Sequence, residues 1–458
     1  MIIKKYDVII IGSGTAGQTA AYELAAEGLS VALVEQSDSP GGVCALRGCQ
    51  AKKWFYEVTE VVARSRHLQH IGVTVPPLTD WREILNEKNR FTSTVPESTV
   101  KALRGNGVEY LKGSAQFVDG TTLQFGETKI QGRYIVVATG AKPMDLPFEG
   151  QEYMATSSDF LELREVPPRI AFIGGGFISF EFAHFVARLG GKSGEIHILE
   201  TESRPLGSFD GDMVDQLVEA SEGEGIVIHT DITVFSLHKQ GPYYQVELAS
   251  GDILEVDLVV NGAGRAPNIS SLNLEAAGVE FSKKGITTDP AMRTSNPAVF
   301  SAGDCTDSPQ LARVSDMEAR IAVKAIMAAE KGGEMPHMDY SAVPAVLFTY
   351  PQLGMVGKTE EQLRQENIKY WKSHDTHLDW TTYRRVGMKH AAYKILVDEN
   401  DQVLGAHFLA DNTTGLVNTF KQAMLDKSPI SKVRDDNILS PYPSRESDIL
   451  YMLGPLLD

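Results

Sequence analysis

A strand, a glycine turn and a helix follow one another without a gap in Tyr6-Asp7-Val8-Ile9-Ile10-Ile11-Gly12-Ser13-Gly14-Thr15-Ala16-Gly17. The first half is a continuous apolar run, rich in β-branched residues and typical of a strand buried on both faces of a parallel sheet. A helical pattern rich in alanine then runs from Ala16 to Glu27 and stops at Gly28, the residue type that commonly ends a helix. This order predicts the start of a doubly wound α/β unit.

An acidic residue follows the glycines at the spacing that a dinucleotide-binding unit requires. The second buried strand, Val31 to Val34, ends in Glu35, about 20 residues beyond the glycines, which is the spacing of an acid that binds a ribose hydroxyl. A G-x-G-x-x-G pattern alone is weak evidence. Between a strand and a helix and followed by this acid, it predicts a dinucleotide site whose pyrophosphate approaches the helix N-terminus.

The same unit occurs a second time. The strand Arg169 to Ile173 runs into Gly174-Gly175-Gly176-Phe177-Ile178-Ser179, and after a helix the next strand ends in Glu200. Ser179 replaces the last glycine and is small enough for close packing of helix and strand. Glu200 would bind a ribose 2′-hydroxyl and repel a 2′-phosphate, which favours NAD over NADP. Arg204 lies close by in sequence and keeps NADP as the less favoured alternative.

Two of the three cysteines lie together in Gly41-Gly42-Val43-Cys44-Ala45-Leu46-Arg47-Gly48-Cys49-Gln50-Ala51-Lys52-Lys53. On a regular helix Cys44 and Cys49 would point to different sides, so a bond between them needs an irregular turn, which the glycines allow. A thiol at a helix start has a lowered pKa. We interpret the pair as redox-active. A structural disulfide and two inert cysteines are the alternatives, and a metal site would need further ligands, so no metal is expected.

Composition excludes some functions. The net charge of −17 argues against a general nucleic-acid or anionic membrane surface. No apolar run approaches the roughly 20 residues of a membrane span. Met1 to Lys5 is too short for a targeting peptide before the first strand, so we expect a cytoplasmic protein without nucleic-acid or membrane partners. The length of 458 residues predicts two to four domains of about 100 to 200 residues each.

Across its whole length the chain resembles the FAD-dependent pyridine nucleotide–disulfide oxidoreductases, the family of dihydrolipoamide dehydrogenase, glutathione reductase and mercuric reductase. The motifs that carry the resemblance are the two fingerprints, the C-x-x-x-x-C pair, Ala138-Thr139-Gly140, Gly264-Arg265-Ala266-Pro267-Asn268, Ala302-Gly303-Asp304 and Phe348-Thr349-Tyr350-Pro351. The resemblance implies an α/β fold with two Rossmann-like domains, one for FAD and one for NAD, and a C-terminal α+β dimerisation domain. The expected boundaries are 1–148 and 265–339 for the FAD-binding parts, 149–264 for the NAD-binding domain and 340–458 for the dimerisation domain.

The resemblance also implies cofactor residues and a homodimer. For FAD they are Gly12, Gly14, Gly17, Glu35, Gly42, Thr139, Gly140, Gly303 and Asp304. For NAD they are Gly174, Gly176, Phe177, Ile178, Glu200 and Gly264. The expected partners are a second copy of the chain and a small thiol or disulfide, or a protein-bound dithiol.

Roles within the reaction follow from matching positions. Cys49 would face the flavin, and Cys44 would be the interchange thiol that meets the substrate. Lys53 and Glu181 match an ion pair beside the flavin, and Phe177 matches an aromatic gate over the nicotinamide pocket. The implied function is electron transfer from NADH through FAD and the cysteine pair to a substrate of the dithiol or disulfide type, as in dihydrolipoamide dehydrogenase.

The C-terminal segment departs from the family. Disulfide reductases have His-Pro-Thr-x-Ser-Glu, whose His is the acid–base of the interchange thiol. Here the segment is Ser440-Pro441-Tyr442-Pro443-Ser444-Arg445-Glu446, so the usual base is missing. Pro441-Tyr442 is similar to mercuric reductases, which makes Tyr442 a candidate site residue. Glu446, one residue out of register, is the candidate replacement base.

A second departure from the family pattern is a set of positively charged residues. One hypothesis is that Arg47, Lys52 and the Arg445 of a partner subunit attract an anionic thiol or polysulfide. The alternative is a solvated helix face.

Three functions therefore compete. The first is the NADH-linked enzyme acting on a dithiol or disulfide, or, like mercuric reductase, on a metal or sulfur species. The second is a diaphorase or NADH oxidase in which the cysteines only tune the flavin. The third is a redox-sensing flavoprotein with little turnover.

Overall fold

The computed structural model describes residues 3–69, 71–190 and 194–457. Met1 and Ile2, part of the segment considered for targeting, lie outside this range. The helices are α1 Thr15–Ala26, α2 Gly42–Arg47, α3 Cys49–His67, α4 Trp81–Gly105, α5 Ser157–Phe160, α6 Phe177–Leu189, α7 Gly211–Glu222, α8 Ala312–Lys331, α9 Glu360–Gln365, α10 Thr381–Arg384, α11 Thr414–Leu425, α12 Ile430–Asn437 and α13 Ile449–Leu457.

The strands follow the same numbering along the chain. They are β1 Lys4–Ile11, β2 Val31–Glu35, β3 Glu109–Lys112, β4 Ala115–Phe117, β5 Thr122–Phe125, β6 Thr128–Val137, β7 Ala141–Pro143, β8 Arg169–Ile173, β9 Glu195–Leu199, β10 Ile226–His229, β11 Val234–Gln240, β12 Tyr243–Leu248, β13 Ile253–Val256, β14 Leu258–Asn261, β15 Arg265–Pro267, β16 Phe281–Ser282, β17 Gly285–Ile286, β18 Val299–Ser301, β19 Pro344–Leu347, β20 Gln352–Gly357, β21 Trp371–Asp375, β22 Ala392–Val397 and β23 Val403–Ala410.

The chain forms two compact units. The first comprises Met1–Lys53, Asn86–Met144 and Gly264–Asp339. Its main sheet has the order β3-β2-β1-β6-β5-β4, with β18 beside β6. Strands β2 and β6 run parallel to β1 on its two sides, so the carboxyl ends of β1 and β2 lie next to each other. This pairing brings the first glycine turn beside the acid that ends β2.

The turn signals Asp119-Gly120 and Phe125-Gly126 predict a small antiparallel meander from Val108 to Gln131, and this meander forms only in part. Strands β4, β5 and β6 pair antiparallel, but β3 pairs parallel with β2 and extends the main sheet. The sequence could not distinguish these two pairings, because a strand of four residues reads the same in a parallel or an antiparallel sheet.

The second unit comprises Trp54–Leu85, Asp145–Ala263 and Tyr340–Asp458. It holds a parallel sheet of order β10-β9-β8-β14, an antiparallel meander β11-β12-β13, and an antiparallel sheet of order β19-β20-β23-β22-β21. The parallel sheet repeats the strand–turn–helix–strand arrangement of the first unit. Across the described residues, no helix combines the length and apolar character needed to span a bilayer.

The last position of each glycine turn has a physical explanation. A Cβ added at Gly17 would lie 1.9 Å from the carbonyl oxygen of Gly12, so only glycine fits there. In the second turn Ser179 stands at the equivalent position, and its hydroxyl donates a hydrogen bond to the Gly174 carbonyl. A small side chain that can bond this carbonyl is therefore tolerated where a purely steric fit would demand glycine.

Candidate active site

A break in a helix brings the two cysteines together. Helix α2 ends at Arg47 and α3 begins at Cys49, with Gly48 between them at φ −138° and ψ −121°. Cys44 is half-buried and Cys49 is exposed, and their side chains are in hydrogen-bonding contact. The irregular turn expected from the glycines is thus present, and it overcomes the five-residue spacing that would separate the sulfurs on a continuous helix.

The surroundings of Cys44 favour its uncharged thiol. Its contact with Cys49, then burial and the nearby charge of Asp304, raise the pKa of the Cys44 thiol above its usual range. The lowered pKa expected for a thiol at a helix start is therefore wrong for Cys44. Cys49 occupies the first position of α3, where the helix dipole favours a negative charge.

Arg265 adds a cation to this cluster. It follows Gly264 on β15 and donates a hydrogen bond to the Ala141 carbonyl. Burial lowers the pKa of Arg265, while the negative charges of Asp304 and Cys49 counteract that effect. The guanidinium therefore lies within electrostatic range of both groups. Arg265 lies within a family motif, but the sequence predicts no role for it, because its neighbours come from distant segments.

The first fingerprint forms a tight cradle. A Cβ at Gly12 would lie 2.3 Å from the Ala138 carbonyl oxygen, and one at Gly42 would lie 2.4 Å from the Gly14 Cα. Backbone from three segments is thus packed as closely as glycine permits, next to the N-terminus of α1. Among the described residues, the buried Thr139 hydroxyl has no hydrogen-bond partner. An orphaned donor beside a glycine cradle fits a bound dinucleotide.

Two acids border this cradle. The Glu35 carboxylate accepts hydrogen bonds from Ser13 N at 2.9 Å and Ser13 Oγ at 2.7 Å. Its second oxygen accepts from Ser37 N at 2.7 Å. Burial raises the pKa of Asp304, against the effects of Arg265 and a hydrogen bond with Ser315. Glu35 ends β2, and Asp304 lies in the turn that follows β18, the positions expected of carboxylates that bind cofactor hydroxyls.

Backbone geometry explains three of the remaining glycines expected to bind cofactor. Gly140, Gly264 and Gly303 have φ values of 68°, 120° and 84°, in the region that favours glycine. The Gly303 N–H donates to the buried Glu318 carboxylate at 2.6 Å. These positions let the backbone turn at the ends of strands next to the cluster of Cys44, Cys49 and Asp304.

The second fingerprint repeats the geometry of the first. Glu200 Oε2 accepts a hydrogen bond from Gly175 N at 2.5 Å, and Oε1 accepts from Glu202 N at 2.9 Å. Gly174 has φ 93°, and a Cβ there would lie 2.4 Å from the Ala263 Cα. Gly176 caps the N-terminus of α6, whose backbone N–H groups suit a pyrophosphate.

Two apolar residues open helix α6. The Phe177 side chain is 47% exposed, whereas Ile178 is buried. Phe177 thus stands exposed at the first position of this helix, and its role as a gate stays a prediction. Glu181, further along α6, is 1% exposed and accepts a hydrogen bond from Phe348 N at 3.0 Å. Lys53 belongs to the first unit and Glu181 to the second, and their ion pair stays a prediction.

An ion pair holds the C-terminal segment that differs from the family pattern. Arg445 Nε donates to Asp411 Oδ1 at 2.6 Å, and the two side chains are only 10% and 12% exposed. The guanidinium also lies 3.8 Å over the Tyr383 ring. Arg445 is therefore paired within its own chain. The hypothesis that Arg47, Lys52 and the Arg445 of a partner subunit attract an anionic substrate stays a prediction. Asp411 was missed because nothing in the sequence links it to Arg445.

The other candidates in this segment differ in exposure. Tyr442 is 81% exposed, whereas Ser440 is half-buried and donates to Asn437. The Glu446 carboxylate packs against Gly415, in the first turn of α11. Within the described residues there is no group of three or more His, Cys, Asp or Glu side chains that could hold a metal ion.

Comparison with known proteins gives the family. The family model described as "Pyridine nucleotide-disulphide oxidoreductase" matches residues 6–319, and the model of its dimerisation domain matches residues 343–449. The dimerisation domain supports the expected homodimer. The predicted family and the predicted fold are confirmed.

Relatives agree with this assignment. The chain is 30% identical to dihydrolipoyl dehydrogenase 3 of Pseudomonas putida, over 97% of this chain and 96% of the relative. It is 29% identical to a mercuric reductase of Staphylococcus aureus, over 90% and 76%. The Cu(II) complex of the HOCl-induced flavoprotein disulfide reductase RclA from Escherichia coli superimposes with a TM-score of 0.87 at 26% identity and covers all of both chains. The chain therefore belongs to the pyridine nucleotide–disulphide oxidoreductase family and is an enzyme of the flavoprotein disulfide oxidoreductase class, whose members use FAD and a pyridine nucleotide.

Proposed function

We propose that this enzyme uses NADH to reduce a thiophilic metal ion, or a thiolate complex of such an ion, through the Cys44–Cys49 pair. The observation that carries the proposal is the missing imidazole. Ser440 stands where disulfide reductases have their acid–base, and Arg445 is bound to Asp411. Positioned acid–base catalysis contributes about 10² to 10⁴-fold in rate.

The chemistry of the acceptor decides how much this loss matters. An organic disulfide needs a base to deprotonate the attacking thiol and an acid to protonate the leaving thiolate. The raised pKa of Cys44 makes the missing base more costly. A soft metal ion displaces the proton of a thiol as it binds, so it does not need the imidazole. The Cu(II) complex of the similar RclA protein is consistent with a metal acceptor.

NADH is the proposed donor because of the charges near Glu200. Its carboxylate would accept a hydrogen bond from a ribose 2′-hydroxyl and repel a 2′-phosphate. Arg204, which could bind such a phosphate, is paired with Asp215 at 3.1 Å and lies 3.7 Å from Glu361. Its charge is therefore already compensated, and NADPH is the less favoured donor.

The cradle of glycines and the acids Glu35 and Asp304 are proposed to hold FAD. Bound FAD would supply hydride transfer from the nicotinamide and electron-pair transfer to the disulfide. Phe177 is the proposed gate at the nicotinamide side. Lys53 and Glu181 are proposed as the ion pair beside the flavin.

The proposed reaction transfers two electrons in each cycle. Two electrons and one proton convert the disulfide to a Cys44 thiol and a Cys49 thiolate. Two Cu(II) ions, or one Hg(II) ion, then take the two electrons and become two Cu(I) or one Hg(0). The disulfide forms again and the Cys44 proton is released. No protein acid has to donate a proton to the acceptor.

A dithiol or disulfide substrate is the second candidate. The identity to dihydrolipoyl dehydrogenase 3 over nearly the whole of both chains favours it. It requires a replacement base, and Glu446 was the best candidate in the sequence. Its carboxylate packs against Gly415 in the first turn of α11.

Anaerobic titration of the flavin-loaded dimer with NADH, followed by addition of acceptors, tests the proposal. We expect a long-wavelength thiolate–flavin charge-transfer band that disappears with Cu(II) or thiol-bound Hg(II), and persists with lipoamide or glutathione disulfide. Cys44→Ser and Cys49→Ser should both abolish turnover. Rapid turnover with lipoamide would favour the second candidate. Turnover that survives alkylation of the cysteines would indicate a diaphorase, and stable reduction without any acceptor would indicate a redox sensor.

The variant Ser440→His restores the imidazole and so tests whether its absence decides the choice of acceptor. We expect this variant to reduce glutathione disulfide or lipoamide faster than the wild type, while its rate with Cu(II) stays within about twofold. If disulfide reduction is already fast in the wild type and unchanged in the variant, the missing imidazole does not control the choice of acceptor.

A further inference from the structure

Helix α8 presents a buried carboxylate to the turn that carries Asp304. Glu318 is completely buried, and its Oε2 accepts a hydrogen bond from the Gly303 N–H at 2.6 Å. Gly303 directly precedes Asp304 and has a φ of 84°, a conformation that few side chains tolerate. Burying a carboxylate is costly unless hydrogen bonds compensate it, so its place beside this turn calls for an explanation.

Ser315 contacts the same turn from one helical turn earlier. Residues three apart lie on the same face of a helix, so Ser315 and Glu318 both face the turn. A Cβ added at Gly303 would lie 3.2 Å from the Ser315 Oγ. The Ser315 side chain is also in hydrogen-bonding contact with that of Asp304. These two α8 residues therefore hold both the backbone and the carboxylate of the turn.

The turn lies beside the first glycine turn. A Cβ added at Gly303 would be 3.4 Å from the Ala16 Cβ, in the first turn of α1. The Ala302 N–H donates to the Val137 carbonyl at the end of β6, at 3.0 Å. Helices α1 and α8 and strand β6 thus meet at the Asp304 turn, next to the helix N-terminus that suits a pyrophosphate.

The order of the strands decides which half of FAD this turn can serve. Glu35 ends β2, which pairs with β1 on one side, whereas Asp304 follows β18, which pairs with β6 on the other side of β1. A pyrophosphate at the end of β1 would lie between the two acids. With Glu35 at the adenosine ribose, Asp304 is left for the hydroxyls of the ribitol chain in the flavin half.

We propose that Glu318 is a positioning residue of the FAD site, which holds the turn of Gly303 and Asp304 so that the Asp304 carboxylate meets the ribitol hydroxyls. Glu318 accepts the Gly303 N–H and acts on the cofactor only through the turn. Ser315 supports the same turn. The inference rests on the proposed FAD site and does not depend on the identity of the acceptor.

The affinity of the enzyme for FAD and for ADP tests the inference. The flavin-loaded dimer is diluted and free FAD is measured by its fluorescence; ADP, which has the adenosine half and the pyrophosphate but no ribitol, is then added as a competitor. We expect Glu318→Ala to raise the FAD dissociation constant about 10-fold or more, because a hydrogen bond to a charged group is worth about that factor. The ADP dissociation constant should stay within about twofold.

Arg320→Gln is the matched control on the same helix. Arg320 forms an exposed ion pair between α8 and Glu23 of α1, so its loss weakens the contact of the two helices without touching the turn. We expect this variant to bind FAD and ADP as the wild type does. A loss of FAD affinity equal to that of Glu318→Ala would show that any weakening of the contact between α1 and α8 has this effect, and would overturn the inference.

Conservative and combined variants separate positioning from a structural role. Glu318→Gln keeps an oxygen that can accept the Gly303 N–H, so it should bind FAD within about threefold of the wild type. If Glu318 acts through Asp304, adding Glu318→Ala to Asp304→Asn weakens FAD binding no further. Equal losses for FAD and ADP, equal losses in the Gln and Ala variants, or multiplied effects in the double variant would overturn the inference.

A second variant keeps the test possible if Glu318→Ala does not fold. Ser315→Ala removes the other contact of α8 with the turn, and the same FAD and ADP measurements are made with it, alone and combined with Asp304→Asn. Failure of the proposed FAD site would look different, since Asp304→Asn would then bind FAD as tightly as the wild type. If Asp304→Asn weakens FAD binding and Glu318→Ala does not, the proposed FAD site stands and the positioning role of Glu318 is wrong.

Discussion

Glu200 accepts a hydrogen bond from the Gly175 N–H at 2.5 Å, just as Glu35 accepts one from the Ser13 N–H in the first fingerprint. In each unit the acid at the end of the second strand closes the glycine turn at the end of the first. The acid therefore does two things: it holds the turn in shape and leaves lone pairs for a ribose hydroxyl. A change at either acid should therefore affect cofactor binding in two ways, through the shape of the turn and through the contact with the ribose hydroxyl.

Replacing Glu200 should change the nucleotide preference. We expect Glu200→Gln to lower kcat/KM for NADH about 10-fold, because hydrogen bonds to a charged group contribute about 1.5 to 3 kcal/mol. The loss for NADPH should be smaller, since the repulsion of the 2′-phosphate also disappears. Steady-state kinetics with both nucleotides measure this, with the exposed neighbour Glu202→Gln as control. A wild type that prefers NADPH would contradict the expectation.

The reactivity of Cys44 should require alkaline pH. The contact with Cys49 and burial raise its pKa, so the thiolate forms only as the pH rises well above neutral. In the NADH-reduced enzyme, we expect the rate of Cys44 alkylation by iodoacetamide to increase beyond pH 9 without a plateau near pH 6. Peptide mapping by mass spectrometry follows the reaction. Cys49→Ser should shift the profile to lower pH, because it removes the largest cause of the shift.

Lys394 should be essential for stability. Its ammonium is 1% exposed and contacts Asp210, Asp212 and Glu360 at 2.7 to 2.9 Å. Removal of one partner from a buried ion pair costs about 3 to 5 kcal/mol, since the remaining charges lose their compensation. We expect Lys394→Met to lower the free energy of unfolding by about that amount in urea titrations. Lys372→Met, which removes a more exposed contact of Glu360, should cost much less.

The ion pairs of Lys394 also make the stability of the fold depend on acidic pH. Burial disfavours the charged Glu360, but hydrogen bonds from Lys394, Tyr370 and Lys372 outweigh burial and lower its pKa. A carboxylate with a lowered folded-state pKa stabilises the fold above its unfolded value of about 4.3 and loses that contribution as the pH falls. The urea-unfolding free energy of the wild type should therefore fall below about pH 4, and that of Lys394→Met should fall less.

His67 should make the stability of the fold depend on pH in a higher range than Glu360 does. Burial and the Arg188 charge lower its pKa from 6.5 to about 4. The folded state thus binds fewer protons than the unfolded state. The contribution of His67 to the free energy of unfolding is therefore complete above pH 6.5 and is lost as the pH falls from 6.5 to about 4. The difference corresponds to about 3 kcal/mol. We expect His67→Gln to reduce the loss of stability between pH 7 and 4.5, whereas the exposed His377→Gln should not.

Local contacts explain why the cofactor fingerprints could be predicted from the chain alone. Gly12, Gly17 and Glu35 lie within one strand–turn–helix–strand segment, and their spacing follows from the geometry of that segment. The family and the fold were recognisable because several such segments occur in a characteristic order. The pairing of β3 with β2 was missed, since short strands do not reveal their partners.

Only the tertiary structure decided the charges around the site. Arg445 was considered as one of the cations that attract an anionic substrate, and its partner Asp411 is distant along the chain and reaches it only through the fold. Likewise the pKa of Cys44 depends on the Cys49 sulfur, on burial and on Asp304, and not on helix position alone. The chain by itself determined which chemical groups are present and the local turns that hold them. Their ionisation, pairing and exposure depend on distances between remote segments, and those distances exist only in the folded protein.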